Sequence, residues 1–195
     1  MQHSSFCGLV FGIAAVLIGP DAAFAQPASP TAAKAASDEF AARGQREARN
    51  IRYDEWQKLC FKPGGAKMVC RTTISGTFET GQTALRIYLT EREGSSAARL
   101  QLFLPVGLYV RPGVKVSVDK GTAYRIPFTW CLTNTCIAGD LAAPALLREM
   151  EAGKTLAIEV VDTNLLAVTT SLPLQNFAAA RKRAPAQIFE QKIDE

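Results

Sequence analysis

Through the middle of the chain apolar and polar residues trade places at every second position, the period of a strand with one face buried and one wet. Leu85, Ile87 and Leu89 alternate with Arg86, Tyr88 and Thr90, and Leu156, Ile158 and Val160 alternate with Ala157, Glu159 and Val161. The same logic predicts strands over 53–60, 67–74, 99–105, 106–110, 114–118, 124–131 and 165–172. Turn chemistry separates them: Lys62-Pro63-Gly64-Gly65, Arg92-Glu-Gly-Ser-Ser96, Arg111-Pro112-Gly113, Asp119-Lys120-Gly121 and Asp162-Thr163-Asn164. Short strands broken by turns at such regular intervals predict an antiparallel sandwich or barrel. Only two stretches change to the helical period. One is 140–153, where Leu146, Leu147 and Met150 repeat, Asp140 is placed to cap, Pro144 falls in the first turn and Gly153 ends the run. The other is 173–180, where Leu174 and Phe177 make one amphipathic turn.

The ends lack this patterning. Residues 26–52 carry no apolar stripe and read as a flexible linker, with a marginal helix over 37–50 from its Ala, Glu and Arg content. From Arg181 onward, 181–195 reads as a loose, charged C-terminal tail. Ahead of the linker, Phe6 to Gly19 is an almost unbroken apolar run, followed by Pro20-Asp21 and Ala23-Phe24-Ala25. That is the layout of a secretory signal peptide over residues 1–25, cleaved after Ala25, and the run is too short to span a bilayer. The mature protein is expected to have no transmembrane span and to reside in the periplasm or with the outer membrane. The domain is expected over 53–180.

Cys7 leaves with the signal, so Cys60, Cys70, Cys131 and Cys136 remain, an even number in an exported chain and the mark of two disulfides. The spacing Cys131-x4-Cys136 is too wide for a thioredoxin-type redox pair, and nothing completes a zinc site. Cys60 and Cys70 lie about equally far from the Pro63-Gly64-Gly65 turn, and facing residues of an antiparallel pair come close enough to bridge. Local pairing, Cys60 with Cys70 and Cys131 with Cys136, is favoured over a crossed, inter-sheet arrangement. By the loop-entropy account so short a bridge adds roughly 2–3 kcal/mol. The second is expected to tie the strand of Trp130 to the helix after Asp140.

Charge and chemistry narrow the function. The chain's formal net charge is +4, and removing residues 1–25 takes Asp21 but no Lys or Arg, so the mature protein is one unit more basic. Much of that excess lies in the flanks, at Arg43, Arg46, Arg49, Arg52 and Arg181, Lys182, Arg183, which reads first as solvated ends. No nucleic-acid motif accompanies it. His3 is the only histidine and goes with the signal, which excludes histidine-based hydrolytic triads and histidine metal sites from the mature chain. Glu91, Glu93, Asp119, Glu149 and Glu151 read as solvated acids of turns and of the helix, with no pair that converges as a glycosidase needs. No phosphate-cradling glycine loop is present, and no cofactor or metal is expected. Trp56 and Trp130 are the candidate binding surface, against the plainer reading that each packs on a disulfide.

Several segments together resemble a known family. Trp56-x3-Cys60, Cys70, the run from Leu102 through Pro112-Gly113 to Asp119-Lys-Gly121, Pro127-Phe-x2-Cys131-x4-Cys136-x-Ala with its helix to Gly153, and Leu172-Pro-Leu-x2-Phe177-x2-Ala180 are similar to the invasion-associated locus B proteins of alphaproteobacteria. Thr135 and Asn176 stand where that pattern leads us to expect glycine. The resemblance implies an exported all-β protein, an antiparallel immunoglobulin-like β-sandwich with one or two short helices, periplasmic or outer-membrane associated and named for host-cell invasion. It brings no catalytic residues. The expected function is a non-enzymatic binding or interaction module contacting a protein or other envelope component, with a small-ligand carrier or carboxylate-based periplasmic enzyme as the alternative. A flat exposed apolar patch supports the first, and a pocket with converging acids supports the second.

Overall fold

The computed structural model describes residues 41–190. The expected signal peptide with His3, Cys7 and the Ala25 cleavage site, the first part of the expected linker, and residues 191–195 lie outside the described residues. In chain order the elements are β1 (Gly44–Glu47), β2 (Ile51–Tyr53), β3 (Gln57–Lys62), β4 (Val69–Phe78), β5 (Thr83–Arg92), β6 (Ala98–Leu104), β7 (Val114–Val118), β8 (Ala123–Ile126), β9 (Phe128–Cys131) and β10 (Cys136–Leu141). Then come α1 (Pro144–Ala152), β11 (Thr155–Val161), β12 (Leu166–Pro173), α2 (Phe177–Lys182) and β13 (Gln187–Glu190).

Two sheets form a sandwich. The smaller has five strands in the order β1-β12-β11-β7-β8, and the larger has eight, ordered β13-β3-β4-β5-β6-β10-β9 with β2 paired to the far end of β4. The period-2 pattern explains the layering. Leu85, Ile87 and Leu89 of β5 and Leu100 and Leu102 of β6 face inward against Val116, Leu156, Ile158 and Leu172 of the smaller sheet, all of them buried. Each such side chain contributes about 1.5–3 kcal/mol on burial. Gly76 is required where the Tyr53 ring crosses β4, because a Cβ there would lie 2.7 Å from the ring. Helix α1 buries Leu146, Leu147 and Met150, and α2 buries Phe177 and Ala180. Asn176 precedes α2 at φ 67°, ψ 0°. Asparagine tolerates that left-handed conformation best after glycine, which accounts for its standing at an expected glycine.

Several elements differ from expectation. The segment expected as one strand over 124–131 breaks at Pro127, which has no N–H for a ladder. β8 pairs with β7 in the smaller sheet while β9 pairs with β10 in the larger, so Pro127 is the point where the chain changes sheet. Residues 106–110 form no strand. Gly107 turns at φ 85°, and Leu108 makes only a single bridge, to Asp162. Asp140 is not a helix cap. It sits in β10 opposite Leu100, its carboxylate accepts from the Leu141 amide at 2.7 Å, and α1 starts after Ala143 with no side-chain cap.

Both flanks also contribute strands. Residues 44–47, expected in a linker with a marginal helix, form β1, parallel to β12. The open edge of β12 accounts for this, since the carbonyls of Leu165, just before the strand, and of Thr169 accept from Arg43 N and Ala48 N, each at 2.9 Å. Residues 187–190, expected in a loose tail, form β13 parallel to β3. Arg181 and Lys182, expected at the start of that tail, complete α2.

Candidate binding face

The alternation that buries one face of the larger sheet decides what the other face shows. In β4, Thr72 and Ile74 are buried, so Arg71, Thr73 and Ser75 point outward. Register then carries this parity across the strands. Phe189 lies opposite Phe61, Leu59 opposite Arg71, Thr73 opposite Tyr88, and Arg86 opposite Phe103. Phe103 in turn lies opposite Ile137, and Ile137 opposite Trp130.

The side chains meet. Phe189 and Phe61 stack with centroids 5.2 Å apart. The Arg71 guanidinium lies 5.6 Å from the Phe61 centroid and 4.3 Å from that of Tyr88. Tyr88 tilts against Phe103 at 4.7 Å. Arg86 donates to Ser75 Oγ at 3.1 Å and to Tyr88 Oη at 3.3 Å. A stripe of rings and guanidinium groups thus crosses the larger sheet on its solvent side. Cation–π contacts of this kind contribute about 0.5–1 kcal/mol each at exposed sites. Arg71 Nε is enclosed without a hydrogen-bond partner.

The sign of the charge is uniform. Arg52, opposite Thr77 on β4, Arg71, Arg86, Arg92 and Arg99 all occupy outward positions, and among the described strand residues no Asp or Glu does. The whole sequence has 22 basic and 18 acidic residues, so composition alone does not separate the signs. The acids are elsewhere: Glu91 is on the inward parity of β5 and binds Arg181 at 2.7 Å. On the outside of the smaller sheet the signs mix, with Lys115 3.4 Å from Glu159.

The two sequence candidates separate. Trp130, 70% exposed, ends the stripe on edge strand β9. The Cys131–Cys136 disulfide closes its hairpin, helped by Leu132 N to Thr135 O at 2.7 Å and by Thr129 Oγ1 to Ile137 O at 3.0 Å. That bridge therefore positions Trp130; it does not tie α1 to the sheet as expected. Trp56 is no part of a binding surface. It is 2% exposed, its indole N–H donates to Pro173 O at 2.9 Å, and its ring meets Phe177 edge-on at 4.8 Å. Cys60–Cys70 bridges β3 and β4 at facing positions.

Sequence reasoning missed Phe61, Arg71, Phe103 and Phe189, and it read Arg86 and Tyr88 only as the wet half of a strand. The available signal was that Arg71, Arg86 and Arg99 sit in phase with the polar half of their strands while no acid does.

The acids that come together elsewhere are structural. Arg181 bridges Glu91 and Glu151, and the hydrogen bond it donates to Glu91 is the main cause that holds its guanidinium above the usual range. Burial pushes the Glu151 carboxyl up, but hydrogen bonds from Lys182 and Arg181 outweigh it and leave it below the usual range. Asp162 is lowered first by the Leu166 amide, burial opposing, with further help from the Asn164 amide and Arg46. Tyr124 is raised by its hydrogen bond to Glu149, 2.8 Å away. Among the described residues no group of three or more His, Cys, Asp or Glu is placed to hold a metal ion, and no helix is long and apolar enough to cross a membrane.

A cavity of about 420 Å³ opens between the sheets at one end, with Leu85, Leu104, Ile158 and Val168 in its wall and Arg46 and Asp162 at its lining.

Compared with known proteins, residues 56–185 match the family model described as invasion associated locus B (IalB) protein. Among solved structures, the crystal structure of invasion associated protein b from Bartonella henselae superposes with a TM-score of 0.60 at 19% sequence identity, covering 68% of this chain and 91% of that one. At that identity the likeness speaks for the fold. A comparison with curated proteins finds no match.

Proposed function

The chain belongs to the invasion-associated locus B family, and on that premise we propose that it is an exported, non-enzymatic interaction module of the cell envelope whose contact surface is the outer face of the larger sheet. The carrying observation is the stripe from Phe189 to Trp130, aromatic and, among the described residues, positive only. Two disulfides in the domain support an oxidising compartment, and the sequence pattern of residues 1–25 supports export to the periplasm or outer membrane. The name of the Bartonella henselae relative supports a role at the host-cell contact. Glu91 and Glu151 are neutralised by Arg181, and Glu149 is held by Tyr124, which supports a binding role over carboxylate catalysis.

The test is cosedimentation of the purified mature protein with isolated envelopes. Trp130→Ala and the double change Arg86→Gln with Arg99→Gln should each lower the bound fraction, while Arg148→Gln on α1 should not. Equal sedimentation of all variants would refute the reading. The inter-sheet cavity favours a second reading, a carrier for a small apolar molecule, since its volume lies in the range of ligand pockets. Native mass spectrometry of protein purified from its own cells would show a retained small molecule if that reading holds.

A further inference from the structure

We infer that the partner of this face is an acidic polysaccharide, a chain of sugars bearing carboxylate, sulfate or phosphate groups; this rests on the interaction reading above. Guanidinium forks recognise such oxyanions with paired, parallel hydrogen bonds. Arg71 on β4 and Arg99 on β6 stand in one row across the sheet, either side of Thr90 on β5 and so about 9.6 Å apart, while Arg86 lies four residues back along β5, about 13 Å from that row. A chain laid obliquely over these strands therefore meets cations at intervals of about 10–14 Å. Arg92 and Arg52 extend the same sign to either side.

The rings decide between kinds of polyanion. Single-stranded nucleic acid needs successive open rings on which bases stack. Here Arg71 covers Phe61 and Tyr88, and Tyr88 and Phe103 pack on each other. The open rings are Trp130 and, less so, Phe189, and they stand at opposite ends of the stripe rather than in succession. Widely separated open rings among guanidinium groups spread over three strands suit a polymer that presents an apolar sugar face at intervals and charge throughout. A second copy of this chain does not fit, because the face would meet its own sign. An acidic peptide would satisfy the arginines but leave Trp130 without a ring to stack on.

The test measures binding of the disulfide-intact mature protein to polygalacturonate, heparin, neutral dextran, poly-glutamate and an oligothymidylate of matched charge. The expected result is binding to polygalacturonate or heparin and not to dextran, weakening at least tenfold when salt rises from about 0.05 to 0.5 M. Arg86→Gln with Arg99→Gln, which leaves stacked Arg71 in place, should weaken it at least tenfold. Trp130→Ala should weaken polysaccharide binding several-fold and leave poly-glutamate binding unchanged, and Arg148→Gln should change nothing. Thermal melts identify any variant that fails to fold. Tightest binding to the oligonucleotide or to poly-glutamate, or salt-dependent self-association in place of polysaccharide binding, would overturn the inference. If the face variants lose envelope binding while no acidic polysaccharide binds, the inference fails and the interaction reading stands. If they change neither, both fail.

Discussion

Trp56 and Trp130 each lie a few residues or fewer before a strand cysteine in the sequence, yet replacing each by alanine should have opposite consequences. Trp56 is enclosed by the core, edge-on to Phe177 at 4.8 Å, with its N–H on Pro173 O. Truncating so large a buried ring costs about 3–5 kcal/mol, a range that includes the cavity left behind. Trp56→Phe keeps most of the ring but orphans the Pro173 carbonyl, at a cost of about 1–3 kcal/mol. For a domain of this size each kcal/mol moves Tm by roughly 2–4 °C, so Trp56→Ala should lower it by roughly 6–20 °C. Trp130→Ala, at 70% exposure, should stay within about 0.5 kcal/mol of wild type. Urea unfolding under non-reducing conditions measures all three. A double-mutant cycle of Trp56→Phe with Phe177→Leu should give a coupling of about 0.5–1.5 kcal/mol. Zero coupling, or a Trp56→Ala cost below about 1 kcal/mol, would refute the claim that this ring pins β3 to β12 and α2.

Other outcomes follow from the same contacts. Replacing Cys131 and Cys136 by Ser should raise hydrogen exchange over 129–137 and weaken any binding that uses Trp130, while α1 and the Cys60–Cys70 hairpin keep their protection. Arg181→Met removes the shared partner of Glu91 and Glu151 and should cost about 2 kcal/mol in the same unfolding assay. Asp162 and Glu151 have folded pKa values below their ordinary 3.8 and 4.5. Their stabilising effect is therefore complete above those ordinary values and is lost as pH falls through the lower folded values. Tm scanned downward from neutral should stay level until about pH 5 and then drop, with a shallower drop in Asp162→Asn. Mass spectrometry of the exported protein should find an N-terminus at Gln26 and no alkylatable thiol before reduction.

The period-2 pattern determined by itself which residues of β5, and of β11 as far as Ile158, face inward, because a strand offers only two faces and water selects between them. It also located the helix through Leu146, Leu147 and Met150, though not its start, which falls at Pro144 rather than after Asp140, and the short pairing of each cysteine, because the turns between them were written in Pro, Gly and Asn. Other features depended on partners distant in sequence. Residues 44–47 have no apolar stripe of their own and become a strand only because β12 presents an unfilled edge; 187–190 do the same on β3. Pro127 was visible, but that it sends β8 and β9 to different sheets depends on which edges were free. The binding face is the extreme case. Phe61, Arg71, Tyr88, Phe103 and Trp130 lie on five strands, each an ordinary outward residue where it stands, and only the register between strands lines them up. Alternation determines which face a side chain takes, while its neighbours across the sheet are settled when the strands dock.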